Sequence, residues 1–358
     1  MAVDSRAWIT IDRAALTHNL GVVRSYVPQA KIACAVKANG YGHGVAVTTS
    51  ALEQADAFAV ATLDEGLELR RLGLTHPVVL LEGITSDEEG RVAQAHGLQQ
   101  VVHARYQLQI LQQLPPSAPI PVWLKVDSGM HRLGFDPEEM APLWREVEAT
   151  PQLQLQGVMT HLADADDLHS SHTREQCARF ERAVEMIPGP RSIANSAAIL
   201  HWPQSHRHWV RPGIMLYGAS PMGQGCGSDY RLRPAMTFSS RLIALREIAA
   251  GDCVGYGSTW CAPRRMRIGT VAVGYGDGYP RHAGNGTPLL VNGERTSLLG
   301  RVSMDMITID LDHLPQAAVG DIVVLWGDGL AVEEVARAAG TIPYDLFCGI
   351  TSRVSRVG

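Results

Sequence analysis

The sequence predicts an α/β chain: an N-terminal (β/α)8 TIM-type barrel followed by a C-terminal mainly-β domain. Three observations predict it. Eight short apolar, β-branched runs recur between Lys31 and Arg211. Amphipathic stretches with helical spacing separate several of them. Beyond residue 228 strand-like runs succeed one another, divided mainly by turn residues.

The eight runs cover residues 31–38, 57–63, 78–83, 100–104, 119–127, 155–162, 192–196 and 208–211. Helix-like segments at 45–55, 64–72 and 173–187 lie between them. Asp64-Glu65 puts negative charge at the start of the second segment, where a helix N-terminus favours it. In the third, Cys177, Phe180, Ala183, Val184 and Ile187 recur near helical spacing. Eight strands alternating with helices imply a parallel sheet closed into a barrel; an open doubly wound sheet is the alternative. Further on, residues 236–248, 267–273, 288–291, 306–311 and 322–326 read as strands, and 332–339 as a helix. Asn292-Gly293 and Gly274-Tyr-Gly-Asp-Gly278 punctuate them. The expected division is a barrel over 9–227 and a β-rich domain over 228–358, joined by an N-terminal strand within 1–8; residues 7–12 alternate as a strand does.

The chain has 358 residues, 46% hydrophobic and 19% charged, the profile of a globular protein with a large core. A net charge of −5 gives no basic field for nucleic acid or an anionic membrane surface. No apolar run reaches the roughly 20 residues a bilayer needs, and the N-terminus shows no signal-peptide pattern. The six cysteines (34, 177, 226, 253, 261, 348) form no Cys-x-x-Cys pair or zinc spacing and read as reduced thiols, which fits a cytoplasmic protein. His169/His172 and His201/His206/His208 lack partnering carboxylates, so no metal is expected.

Lys37 ends the first run, and the glycine-rich stretch Ala38-Asn-Gly-Tyr41-Gly-His-Gly44 follows it. A lysine at the end of a buried strand either snorkels to water or is used chemically. Desolvation favours the neutral amine, the form that attacks a carbonyl. The neighbouring glycines are expected to let the backbone approach a ligand. Barrel enzymes gather their sites at strand C-termini. There this chain places Lys37, Lys125 and Arg132, His161, Asn195-Ser196, and Arg211-Pro-Gly213-Ile214. Each has an ordinary reading: Arg132 as a solvated loop charge, Ser196 as a helix cap, His161 as a core histidine. Their convergence on one mouth is what those readings do not predict. No nucleotide motif is present.

The segment Ala35-Val-Lys37-Ala-Asn-Gly-Tyr41-Gly-His-Gly44 resembles the cofactor-lysine segment of the alanine racemases, which use pyridoxal 5′-phosphate (PLP). Gly255-Tyr256-Gly-Ser-Thr-Trp260 and Arg301-Val-Ser-Met304-Asp305-Met306 resemble further segments of that family. The resemblance implies that Lys37 carries PLP and that Tyr41, Ser196, Gly213, Ile214 and Tyr344 hold its phosphate. Arg211 would face the pyridine nitrogen, with His161 behind it. Arg132, Met304, Asp305 and Tyr275 would meet the substrate, and Lys125 would be a carbamylated lysine. Lys37 and Tyr256 would be two bases on opposite faces of Cα, interconverting L- and D-alanine in D-alanine biosynthesis. A homodimer would share its sites between chains. A PLP carrier on a lone barrel, a PLP decarboxylase on the same plan and a racemase of wider specificity are the rivals. The C-terminal segments argue against the carrier, and no acidic pocket signature supports a basic substrate.

Overall fold

β-branched and small apolar residues favour extended backbone and pack well on a pleated surface. Here they form eight parallel strands closed into a barrel, in a computed structural model that describes residues 6–357. In chain order the strands are Lys31–Ala35, Ala57–Val60, Val78–Leu80, Gln99–Val102, Ile120–Lys125, Leu153–Met159, Arg191–Ser192 and Trp209–Val210. The ring closes where Lys31 and Ile32 pair with Trp209 and Val210. The barrel expectation is borne out, and the open sheet is excluded. Most strands stop short of their expected C-terminal ends, because the chain leaves the sheet there to build the mouth.

Helices pack outside the strands. Asp12 caps the first, Arg13–Tyr26, by accepting the Ala15 N–H at 3.0 Å. Thr62 and Glu65 form a capping box on Leu63–Arg71, adding to the negative charge that the sequence marks there. Inside the barrel, Ala59, Val79, Val101, Trp123 and Met159 form a separate buried cluster contributed by five strands. The lumen is thus a packed core that closes the mouth from below.

The second sheet has the order Met266–Val271, Ile307–Asp310, Glu294–Leu299, Pro288–Val291, Ile322–Trp326, Met236–Ile248, Ala7–Ile11, Ser355–Val357. Met236–Ile248 also pairs with Met266–Val271, joining the ends of a six-strand run. Ala7–Ile11 pairs antiparallel with Met236–Ile248 and parallel with Ser355–Val357, so this N-terminal strand lies in the C-terminal sheet and extends to Ile11. Of the expected 1–8 segment, residues 1–5 lie outside the described residues, as does Gly358.

Two elements go beyond the sequence reading. Glu294–Leu299 pairs with Pro288–Val291 through Asn292-Gly293, whose φ values of 50° and 85° make a tight two-residue hairpin. Pro343–Cys348 is a short helix with proline in its first turn. One expectation is overturned: Cys253 and Cys261 are disulfide-bonded, while Cys34, Cys177, Cys226 and Cys348 are free. Spacing along the chain could not reveal this, since the two meet only across a strand pair.

Candidate active site

The chain leaves the first barrel strand and coils left-handedly. Ala38, Asn39, Gly40 and Tyr41 have φ of 52°, 53°, 63° and 51°. L-residues pay about 1–2 kcal/mol each for that conformation, so the turn must be held from outside. The Ala38 N–H donates to Glu65 Oε1 at 2.7 Å, and Asn39 Oδ1 accepts the Val45 N–H at 2.7 Å. The glycines serve packing rather than ligand approach. A Cβ on Gly42 would lie 2.0 Å from the Phe347 carbonyl, and one on Gly40 would lie 2.7 Å from Thr48 Oγ1. The outcome is that Lys37 stands half-buried on the rim while Tyr41 turns inward and is buried.

Lys37, Tyr41, Lys125, Arg132, His161 and Ser196 line one cavity of about 790 Å³. Arg211, Gly213, Ile214 and Tyr344 complete its expected lining. Arg211 is buried at the barrel's last strand. Its guanidinium donates to the Ser192 hydroxyl and to the Thr160 and Ile193 carbonyls. Burial draws its pKa down to about 10, which still leaves it a cation at neutral pH. Arg211 Nη2 lies 3.4 Å from His161 Nδ1. Burial first, then Arg211 and Lys125, push His161 well below the usual imidazole range, so it is a neutral acceptor. Burial, with Arg211, Arg132 and Lys37 adding to it, lowers Lys125 to about 8.

Ser196, Gly213 and Tyr41 form a cradle in the same lining. The Gly213 N–H donates to Ser196 Oγ at 2.9 Å. The helix Ser196–His201 is capped by Asn195, which accepts the Ala198 N–H at 3.1 Å, so Ser196 is not its cap. Tyr41 stacks on Tyr217 with ring centroids 4.7 Å apart and tilts against Tyr344 at 6.0 Å. Burial raises the phenols of Tyr41 and Tyr344 above their ordinary range, which keeps both as O–H donors.

The sequence reading missed supporting residues. Tyr217 is fully buried and donates to the Ala35 carbonyl at 2.9 Å, fixing the stack behind Tyr41. Asp127 Oδ1 accepts the N–H groups of Gly129, Met130 and His131 at 2.9, 3.0 and 3.0 Å, which shapes the loop that presents Arg132. An aspartate two residues before a glycine was a usable signal for that turn. Asp166 and Cys348 also line the cavity, without any sequence signal.

Of the expected β-domain residues, only Tyr344 lines this cavity. Tyr256, Tyr275, Met304 and Asp305 do not line this cavity. Tyr256 is 68% exposed, and Tyr275, Met304 and Met306 are exposed too. Gly276 N–H to the Met304 carbonyl at 2.9 Å and Tyr275 N–H to the Ser303 carbonyl at 3.1 Å tie two of the segments together. Within one chain, then, the structure collects the barrel residues and Tyr344 of the β domain in one place and leaves Tyr256, Tyr275, Met304 and Asp305 outside it.

Residues 11–221 match the family model for the alanine racemase N-terminal domain, and residues 235–358 match that for the alanine racemase C-terminal domain. Alanine racemase from Halorhodospira halophila is 49% identical over 349 residues, 97% of this chain and 96% of that one. Alanine racemase from Nitrosococcus oceani is 50% identical over 348 residues, 97% of each chain. The crystal structure of biosynthetic alanine racemase from Pseudomonas aeruginosa superimposes with a TM-score of 0.96 at 44% identity, covering 99% of both chains. That of alanine racemase from Bartonella henselae with covalently bound pyridoxal phosphate gives 0.90 at 30% identity, again over 99% of both. With both halves matched and near-complete coverage by relatives at almost half identity, the chain belongs to the alanine racemase family.

Proposed function

We propose that this racemase interconverts L-alanine and D-alanine with PLP held at Lys37, and that Lys37 and Tyr256 exchange protons on opposite faces of Cα. The observation that carries the reading is the joint placement of Lys37, the Arg211–His161 pair and the Ser196–Gly213 cradle in one cavity. The cavity fits the cofactor. A Cβ on Gly213 would reach within 2.5 Å of Tyr41 Oη, so glycine keeps the cradle open. Ser196, the Gly213 and Ile214 backbone and the Tyr41 and Tyr344 hydroxyls would hold its phosphate. The name of the Bartonella henselae structure supports the same cofactor.

When bound, PLP supplies an electron sink for the carbanion at Cα. Everything else falls to the protein. The fixed cation of Arg211 disfavours protonating the ring nitrogen, which moderates that sink and limits side reactions. His161, held neutral, leaves the Arg211 charge unopposed. Arg132, the Met304 backbone N–H and the region of Asp305 would orient the substrate carboxylate, and Tyr275 and Tyr344 would narrow the entrance to a one-carbon side chain. A carbamylated Lys125 would turn a repelling cation into an anion beside Arg132.

The second base would come from another copy. Tyr256 is exposed and absent from its own chain's cavity, in company with exposed Tyr275, Met304 and Met306. This supports a homodimer in which each β domain completes its partner's barrel. A cytoplasmic location and a role in D-alanine biosynthesis belong to the same reading. The experiment is direct: borohydride should fix PLP to the Lys37 peptide, and chiral analysis should show L-alanine racemised. Tyr256→Phe should slow isotope exchange from one enantiomer more than from the other. A colourless, PLP-treated protein that leaves L-alanine unchanged would refute the reading.

A further inference from the structure

The disulfide lies in the loop that carries Tyr256. Cys253–Val254 and Trp260–Cys261 form an antiparallel ribbon of two residue pairs, with Cys253 opposite Cys261 and Val254 opposite Trp260. The two sulfurs are bonded, and both cysteines are exposed. Tyr256 sits between them on the turn Tyr256–Ser258. Its backbone has positive φ at three positions: Gly255 at 75°, Gly257 at 72° and Ser258 at 47°. At the open end of the ribbon, the Gly251 N–H reaches the Ala262 carbonyl and the Ala262 N–H the Asp252 carbonyl, both at 2.8 Å. Val254, Ala262, Met266, Ile268 and Leu299 form a small apolar cluster apart from the main core, and Trp260 packs on it.

A ribbon this short is marginal by itself. Two glycines flanking Tyr256 multiply the conformations open to the turn. The covalent bond closes the loop beside those two hydrogen bonds. In the single chain the pair is exposed, and exposed cysteines are where thiol–disulfide exchange proceeds.

We propose that Cys253–Cys261 is a reversible redox staple for the Tyr256 turn, with thiols and disulfides of the glutathione class as its reactants. Its effect on turnover rests on the reading of Tyr256 as a base; the bond itself does not. In the forming direction, one cysteine thiolate attacks a sulfur of glutathione disulfide. A protein–glutathione mixed disulfide forms and one glutathione thiolate leaves. The second cysteine thiolate then attacks the protein sulfur of that mixed disulfide and expels the second glutathione. Two protein thiols are oxidised to one disulfide, one glutathione disulfide is reduced to two thiols, and the two cysteine protons pass to the released thiolates. Reduction by two glutathione thiols reverses each step. The oxidised form holds Tyr256 in place and turns over faster; the reduced form lets the turn wander. Misplacement of a reacting group by about 1 Å can lower a rate on the order of 100-fold, so partial loosening should lower kcat about threefold or more.

The test uses the holoenzyme equilibrated in glutathione buffers of graded oxidation. Peptide mass mapping reads the 253–261 bond, and racemisation is assayed in the same samples. The expected result is that kcat follows the fraction of the bond formed, and that the double variant Cys253→Ser/Cys261→Ser holds one low kcat at every ratio. If that variant fails to fold, Cys261→Ala alone should show the same insensitivity. Free thiols throughout the oxidised buffers, or a bond that forms without moving kcat while Tyr256→Phe remains impaired, would overturn the staple. A Tyr256→Phe enzyme that racemises normally would instead strike at the base assignment, with the mapped bond still readable.

Discussion

Gly213 donates its backbone N–H to the Ser196 hydroxyl at 2.9 Å, and the position a Cβ would occupy on Gly213 lies 2.5 Å from Tyr41 Oη. Three parts of the proposed phosphate cradle therefore depend on one missing side chain. Tyr41 has little room to retreat, because Tyr217 is stacked behind it.

Gly213→Ala should leave the barrel folded but displace Tyr41. Overpacking of this kind costs about 1–3 kcal/mol, which corresponds to a PLP dissociation constant raised roughly tenfold or more. Titrating the cofactor-free protein with PLP and following absorbance measures it. An unchanged dissociation constant would remove Gly213 and Tyr41 from the cradle.

Lys125 carries a pH signature. Its folded pKa is lowered from 10.5 to about 8, by burial first and then by Arg211, Arg132 and Lys37. Below about pH 8 both folded and unfolded chains hold the proton, and the folded state bears the penalty in full. Between about 8 and 10.5 the folded state has released it while the unfolded state has not. Stability from this group therefore rises with pH through that window. The size is roughly 2 kcal/mol after allowance for water in the open cavity. Lys125→Met should be more stable than the parent near neutral pH and lose this rise, as read by denaturant melts at several pH values. Bicarbonate should reduce the same penalty if the amine is carbamylated, and labelled carbon would appear on Lys125 by NMR.

Arg211 and Lys125 follow burial among the causes that hold His161 below the imidazole range. Replacing Arg211 with glutamine should raise the His161 pKa, visible as a shifted ring titration by NMR. It should also lower kcat at least tenfold, since the buried Ser192, Thr160 and Ile193 acceptors lose their donor. A His161 titration that does not move would show that the Arg211 charge does not hold the ring down.

Asp277 is 1% exposed and anchors the loop that carries Tyr275. Its Oδ2 accepts from Arg6 at 2.7 Å and from the Gly274 N–H at 2.9 Å, while Arg353 approaches Oδ1 at 3.3 Å. Both arginines also contact Asp305. Asp277→Ala should cost about 2–4 kcal/mol of stability, and Asp277→Asn less, because it can still accept from Gly274. Thermal denaturation ranks the two; equal midpoints would deny the carboxylate its anchoring role.

Much of this was legible in the sequence, and for definite reasons. Period-two and continuous apolar runs mark strands wherever they fall, so all eight barrel strands and the long strand Met236–Ile248 could be read directly. Glu294–Leu299 was harder: it opens with charged and polar residues, and only the Asn292-Gly293 turn before it signals a hairpin. The glycines after Lys37 were legible as special but not as to purpose, since their use depends on Phe347 and Thr48, both distant or unaligned in sequence. Ser196 showed the same limit. As a residue beside a helix start it reads as a cap, yet Asn195 takes that role and frees Ser196 for Gly213.

By itself the sequence determined the barrel, the β domain and the family, because hydrophobic periodicity and local motifs are properties of neighbouring residues. Tertiary structure alone decided what depends on distance through space. It set the left-handed turn held by Glu65, the depressed Lys125 and His161, and the Cys253–Cys261 bond. It also decided that Tyr256 lies exposed and outside its own chain's cavity lining. Burial and charge proximity arise only when separate strands converge, and no spacing along the chain encodes them.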